Sequence, residues 1–450
     1  MTDMTVGKPL TLLIKFTIPL IIGNLFQQLY SLVDTIIVGR TLGLSALGAI
    51  GAVGSLTFFL QGFLQGIASG LSLVLAQRLG TKDAGRIRSS FVTGLFLSLI
   101  FVLVISILGF VFSDFLLEIM QIPTALYPDS RKYFIFSIVG LTGMMLFHVM
   151  INSLRSLGST RQLLYYMILS QVLNIIFDFV FIIVLPFGVA GVALALALSQ
   201  ALVGIICYIY LSQKISYFRI KKEDLLFEVK EMALHIKLSL PIGIQSAIIT
   251  TGAIILQLML NTLGASPVEA HAIGQRIESM VAMPLISFGV AMATFAAQNA
   301  GAGLMERVWQ GIRGSLLISI SYSLLIGLLL FFYGTTLSHL LFGADNPETL
   351  GYIQRYLRFT TPFYMVLSVL FVIRYTLQGL GKVVAPTLAG LMEMTMRILV
   401  PVSLTGLLGF SGIVLSHPLA WFGSTAILVY AVYLVRNNDV SSQFKRFMIA

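Results

Sequence analysis

The sequence predicts an all-α polytopic membrane protein, with twelve transmembrane helices in two homologous six-helix lobes. Three observations carry that expectation. The composition is 57% hydrophobic and only 10% charged. Apolar runs long enough to cross a hydrocarbon core of ~30 Å recur along the whole chain. An internal repeat holds one register from end to end. A soluble chain carries roughly 25% charged residues, whereas the mean hydropathy here is +0.96. A transmembrane barrel would instead alternate polar and apolar positions in segments of ~10 residues.

Apolar windows bounded by Gly, Pro and charge place the first six helices at 11–38, 46–76, 88–112, 132–155, 162–185 and 189–213. The second six fall at 236–263, 270–297, 310–334, 351–377, 384–408 and 411–435. An even number of spans puts both termini on one side. If that side is cytoplasmic, it receives 21 of the 28 basic residues, from Lys8 and Lys15 through Lys221 and Lys222 to Lys445 and Arg446. The outer face receives only Arg40, Arg131, Lys132, Arg355 and Arg358. Positive residues concentrate on the cytoplasmic side of membrane proteins, so both termini are expected inside, at the cell membrane. The net charge of +10 has the same origin, and no nucleic-acid partner is expected. The stretch 214–235 is the expected cytoplasmic linker between an amino-terminal lobe (1–213) and a carboxy-terminal lobe (236–450).

Cys207 is the only cysteine, which excludes an intrachain disulfide and makes a thiol metal site improbable. The five histidines, at 148, 235, 271, 339 and 417, are scattered without metal-ligand spacing. No cofactor is expected. The start of the chain runs into the first span without an A-x-A-type cleavage site.

The repeat is legible in short anchors. "IKFTIP" at 14–19 returns as "IKLSLP" at 236–241, and "AIG" at 49–51 returns at 272–274. "LAQRLG" at 75–80 matches "AAQNAG" at 296–301, "LRSLG" at 154–158 matches "LQGLG" at 377–381, and "GVAG" at 188–191 matches "GFSG" at 409–412. Every offset lies between 221 and 223. Six spans per lobe preserve orientation, so the repeat is parallel, about an axis along the membrane normal. Two such lobes with a seam between them suit alternating access.

Polar residues inside the spans are the candidate functional groups. On the first helix Asn24, Gln27, Gln28, Ser31, Asp34 and Thr35 share a face roughly 120° wide. Pro19, earlier in the same span, removes a backbone hydrogen bond and permits a bend. On the fifth helix Gln171, Asn174 and Asp178 share a face by their three- and four-residue spacing. A carboxylate at bilayer depth costs about 2.5–3.5 kcal/mol on insertion scales, so it must face protein, water or a cation. Asp34, Asn174 and Asp178 are therefore the candidate proton or cation site, with Na⁺ as the metal such oxygens would suit. Asn24, Gln28, Ser31 and Gln171 are candidates for lining a substrate cavity. The second lobe has no acid in its equivalent of the first helix. Its membrane charges are Arg276, Glu278, Glu393 and Arg397, expected as structural ion pairs, with Glu393 and Arg397 spaced to pair along one helix.

These residues also carry a resemblance. "IPLIIGNLFQQLYSLVDTIIVGR", "AQRLGTKDAGRIR", "LRSLGSTRQ", "NIIFDFVFI", "GVAGVALALALSQ" and "AAQNAGAGLMERV" resemble the multidrug and toxic compound extrusion (MATE) family, over essentially the whole chain. The resemblance implies a V-shaped secondary antiporter that exports organic cations against inward H⁺ or Na⁺, as a monomer in the lipid bilayer. It is closer to the DinF-like branch, whose coupling acids on helices one and five match Asp34 and Asp178, with an amide matching Asn174. The NorM-like branch has an acid on helix seven, where this chain has Ile248, Ile249, Thr250 and Thr251. The alternative is a sister-family flippase for lipid-linked oligosaccharides, which Arg276 and Arg397 keep open. An enzyme is not expected, because no nucleophile–base pair or metal cluster stands at a recognisable spacing.

Overall fold

The structure, a computed structural model, describes residues 3–220, 228–343 and 345–449, with side chains described as far as residue 437. Lys221 and Lys222, counted above on the cytoplasmic face, lie outside the described residues, as does 223–227 of the expected linker. Among the described residues every regular element is helical, and twelve helices are long and apolar enough to cross a bilayer. The first six are α1 (Pro9–Thr41), α2 (Gly54–Thr81), α3 (Ala84–Val111), α4 (Tyr127–Ser156), α5 (Thr160–Val184) and α6 (Val189–Lys214). The second six are α7 (Val229–Leu263), α8 (Ala265–Gly301), α9 (Met305–Phe342), α10 (Pro347–Gly379), α11 (Val384–Leu408) and α12 (Phe410–Asn437).

Most spans run past the ends that the apolar windows give, because backbone hydrogen bonding continues where apolar side chains stop. The second span is a correction. The expected helix 46–76 is broken at Val53 (φ −102°, ψ 3°), which separates a short helix, Gly43–Ala52, from α2. Gly43, Gly48, Gly51 and Gly54 crowd this stretch, and each weakens a helix by about 1 kcal/mol relative to Ala.

Prolines account for two further irregularities. α5 ends in a π-helical turn, Phe179–Val184, followed by Pro186, which has no N–H to continue the α-helical ladder. The neighbouring amides reach further back, Leu185 to the Val180 carbonyl (2.8 Å) and Phe187 to the Phe181 carbonyl (2.9 Å). In α10 a 3₁₀ turn, Thr361–Phe363, interrupts the span at Pro362. Polar caps set other ends. Asp83 accepts from the amides of Gly85 and Arg86 at the start of α3, and Asn346 from Glu348 at the start of α10.

The helices form two compact units. The first takes in the chain up to Gly7, Ile18–Ala247 and Ala297–Leu304, and the second Lys8–Thr17, Ile248–Ala296 and the chain from Met305 onward. The change of unit within α1 falls between Thr17 and Ile18, beside Pro19.

Small residues set the closest approaches, as expected where packing rather than water drives helix association. In the first unit α4 meets α6 so closely that a Cβ on Gly143 would lie 2.7 Å from the Ala197 carbonyl oxygen. The last turns of α2 and α8 also meet there. A Cβ on Gly80 would lie 2.1 Å from the Gln298 oxygen, and one on Gly301 2.0 Å from the Gln77 oxygen. These four residues belong to the matched anchors "LAQRLG" and "AAQNAG", so repeat-equivalent glycines each accept the partner's backbone. The amino-terminal segment ties into the same end. The Met4 amide donates to Gln298 Oε1 (3.1 Å), and Asn299 Nδ2 donates to the Met4 carbonyl (3.1 Å).

Candidate functional site

α1 and α5 bring their polar faces together in the first unit. Asn174 and Asp178 lie one turn apart on α5, and Asn174 Nδ2 donates to Asp178 Oδ2 at 3.1 Å. Across from them, the Tyr30 hydroxyl on α1 donates to Asn174 Oδ1. Asp34, one turn beyond Tyr30, brings its carboxyl within interaction distance of both Tyr30 and Asp178. Asn174 is 1% exposed and Asp178 0%, while Asp34 and Tyr30 are half-buried. Tyr133 of α4 adds a second phenol close to both acids.

An apolar cluster closes the site one turn further along each helix. Val38, four residues after Asp34, packs with Ile182, four residues after Asp178, and with Val192 of α6; Tyr133 lies against them. Ile182 sits in the π turn, so the irregular backbone begins immediately after the buried acid. Such turns recur at functional sites.

The polar ledger of the site does not close without a further positive particle. Asp34 Oδ1, Asp178 Oδ1 and Gln171 Oε1 are buried with no hydrogen-bond partner among the described residues. Two acids brought together in a medium of low dielectric constant repel, and an unpartnered buried carboxylate oxygen is costly. A proton or a small hard cation bound there relieves both penalties. The arrangement suits reversible binding of either.

The other predicted residues scatter around this centre. Gln171 stands one turn before Asn174 and is half-buried, as is Asn24. Gln28 and Ser31 are exposed and outside the cluster. Thr35 is also exposed and spends its hydroxyl on the Ser31 carbonyl (2.8 Å). Among the residues of this face, the Asp34 edge is the one that meets α5 in the acid cluster. Tyr30 was missed by the sequence reading. It stands about 40° round the helix from Asp34, just beyond the polar arc, and its position four residues before the acid is the signal that marks it.

In the second unit Glu393 pairs with Arg397 on its own helix, as the spacing predicts, with Nη2 3.9 Å from Glu393 Oε1, and more closely with Arg374 of α10, a partner the spacing does not give. Arg374 and Glu393 each keep only 6% of their side-chain surface exposed. Glu278 of α8 accepts from the Tyr356 hydroxyl of α10 at 2.8 Å and has His417 Nδ1 of α12 at 3.6 Å. Arg276 is exposed.

Comparison with known proteins gives four findings. The MatE family profile matches residues 19–180 and again 241–403, two segments one repeat apart. The chain is 27% identical over 436 residues to the "Probable multidrug resistance protein YpnP" of Bacillus subtilis (strain 168), covering 96% of each. It is 23% identical over 416 residues to the "FAD transporter" of Shewanella oneidensis, covering 90% of each. A solved structure described as the outward-facing conformation of a multidrug resistance MATE family transporter matches with a TM-score of 0.87 and 20% identity, covering 98% of each chain. The twelve-helix fold is therefore that of the MATE structures.

Proposed function

Because the chain belongs to the MatE family of membrane transporters, and so is not an enzyme, we propose that it is a secondary antiporter of the cell membrane. It exports small organic cations against an inward flow of protons, with both termini cytoplasmic and the monomer as the working unit. The name of the Bacillus relative supports drugs as the cargo. Its acids on α1 and α5 support the DinF-like branch. The names of the multidrug relatives do not favour the flippase alternative, and of the two arginines that kept it open, Arg397 lies beside Glu393.

One observation carries the choice of proton over Na⁺. Asn174 offers its NH₂ to Asp178 while its carbonyl oxygen is occupied by Tyr30. The amide oxygen that would ligate a hard cation is therefore turned away. The same chain of donors is reversible. With a proton on Asp178, the carboxyl donates to the Asn174 oxygen, the amide NH₂ turns to the Tyr30 oxygen, and Tyr30 donates to Asp34. Protonation on one side of the membrane and release on the other thus needs rotations of side chains alone at the site. Pro19, where the Lys15 carbonyl lacks its helical donor, lets α1 bend as this hydrogen-bond pattern changes.

Proteoliposomes with a pH gradient or a Na⁺ gradient, each imposed alone, test the proposal with ethidium as the cationic probe. The pH gradient is expected to drive ethidium accumulation and the Na⁺ gradient to leave it at equilibrium. Accumulation driven by Na⁺ alone would overturn proton coupling.

A further inference from the structure

The antiport site leaves unused a buried chain of titratable groups in the second unit. His271 of α8 and His417 of α12 face each other, Nε2 to Nε2, at 3.4 Å. Both are 1% exposed. His417 turns its other nitrogen, Nδ1, toward Glu278 Oε1 at 3.6 Å, and Glu278 Oε2 accepts from the Tyr356 hydroxyl at 2.8 Å. The rings of His271, Tyr356 and His417 also stack edge-on or tilted against one another, with centroids 5.5–5.6 Å apart. Three spans thus contribute to one continuous chain: His271, His417, Glu278, Tyr356.

Proton arithmetic limits what this chain can be. Two ring nitrogens 3.4 Å apart hold one proton between them, not two and not none. With both rings neutral and Glu278 ionised, His417 Nε2–H donates to His271 Nε2, His271 carries its proton at Nδ1, and Tyr356 donates to Glu278. His417 Nδ1 is then an open acceptor: like His271 Nδ1, it is buried with no hydrogen-bond partner among the described residues, and Glu278 Oε1 stands 3.6 Å away, at ion-pair distance. A proton delivered to Glu278 passes to His417 Nδ1 as that gap closes, leaving an imidazolium between the Glu278 carboxylate and His271 Nε2.

The surrounding charges permit the exchange. Arg397 of α11 faces the chain electrostatically, and Tyr364 of α10 stands beside Glu278. Arg397 and Arg374 share Glu393. Two arginines, Glu393 and Glu278 sum to zero, so charge balance neither demands the extra proton nor traps it. Glu278 keeps 16% of its side-chain surface exposed against 2% for His417, which makes it the open end of the chain. A metal reading fails on ligand number. The facing nitrogens supply two ligands, where zinc sites take three or four protein ligands, and no cluster of three metal-binding residues exists among the described residues.

We propose that His271, His417, Glu278 and Tyr356 form a second proton-binding site in the carboxy-terminal lobe, which loads one proton through Glu278 and stores it on the histidine pair. This rests on the proton-antiport reading above and extends it. With one proton on each lobe, two protons enter for each monovalent cation that leaves, and one net charge crosses the membrane.

Two measurements test it, and they fail separately. The first counts protons taken up between pH 8 and pH 5 by the protein in nanodiscs, using an indicator dye and no transport substrate. Wild type is expected to bind one proton more than His417→Gln or His271→Gln, and Tyr356→Phe to bind as many as wild type. Equal counts in wild type and both histidine variants would overturn the site. The second uses proteoliposomes at equal pH with an inside-negative valinomycin potential and ethidium outward transport. One net charge corresponds to about a 50-fold gradient per 100 mV. His417→Gln is expected to lose the potential-driven gradient and keep the one driven by a pH difference. A variant that keeps its potential-driven gradient overturns the second site alone; a wild type unmoved by a pH difference overturns the antiport reading.

Discussion

The two lobes share a scaffold and differ in where they keep their acids. In the amino-terminal lobe two aspartates, an amide and a tyrosine meet between α1 and α5, with buried carboxyl oxygens left open. In the carboxy-terminal lobe one glutamate meets a tyrosine and two histidines between α8, α10 and α12, and a second glutamate is held by two arginines. The position one repeat after Asp34 is Leu256, which is 1% exposed. Tyr133 and Tyr356 lie one repeat apart, and each stands beside its own lobe's acid. The duplicated helices thus keep the tyrosine and relocate the carboxylates. A repeat preserves backbone geometry, and function is written in the few polar side chains that the backbone presents.

The largest structural effect is expected where the carboxy-terminal lobe holds a closed ion network. Removing one partner of a buried pair leaves a charge uncompensated, at a cost of about 3–5 kcal/mol. Glu393→Ala should therefore lower the thermal unfolding midpoint more than any other substitution named here, since Arg374 and Arg397 both lose their partner. A midpoint like that of wild type would show that these charges are solvated and that the contrast between lobes is misplaced.

The next effect probes what the lobes share. Gly80 and Gly301 each face backbone at about 2 Å from where a Cβ would stand. Backbone does not yield as a flexible side chain does, so Gly80→Ala and Gly301→Ala should each cost about 1–3 kcal/mol. The two should cost similar amounts, because the contacts are reciprocal. A large loss at one and none at the other would break the equivalence of the two anchors.

Tyr30→Phe should be milder. It deletes the hydroxyl that holds the Asn174 oxygen, worth about 1 kcal/mol net, and leaves the ring. Uphill transport is expected to slow while the folded protein persists. Unchanged turnover would remove Tyr30 from the relay and leave Asn174 free to present its oxygen.

How far the site was legible depends on the residue type. Asp34 and Asp178 stand out because a lone acid in an apolar run is expensive and so announces itself. Tyr30 does not, since a tyrosine fits an apolar helix and only its partner shows what its hydroxyl does. His271 and His417 are 146 residues apart; no spacing rule joins them, and only the fold does. The twelve spans and the repeat were legible because hydropathy and register are properties of the chain alone. The break at Val53 was not, because the apolar window runs through it unchanged. Arg374 lies near the expected cytoplasmic end of its span, and its pairing with Glu393 shows that a basic residue there is equally able to turn inward.

The smallest effect concerns the amino-terminal segment of the first unit. Asp3 is exposed, and although slight desolvation raises its pKa, the Thr5 hydroxyl and amide and the Lys82 ammonium together bring it below its ordinary 3.8. A carboxyl depressed on folding stabilises the fold above its unfolded pKa, and that contribution is lost as pH falls through the lower folded value. Amides near Met4 and Thr5 should therefore lose hydrogen-exchange protection only below about pH 3.8. Asp3→Asn should abolish that step. Protection that declines already at neutral pH would mean that Asp3 does not anchor the segment.

The most direct test of the central claim, that the Asp34–Asp178 pair couples ion movement to export, separates binding from uphill work. Asp178→Asn keeps the size and hydrogen bonding of the side chain but cannot cycle between charged and neutral forms. Ethidium binding and uphill accumulation would be measured on the same reconstituted preparation. The account predicts binding within a few-fold of wild type and no accumulation beyond equilibrium under a pH gradient. An Asp178→Asn protein that still concentrates ethidium at near wild-type rates would contradict it.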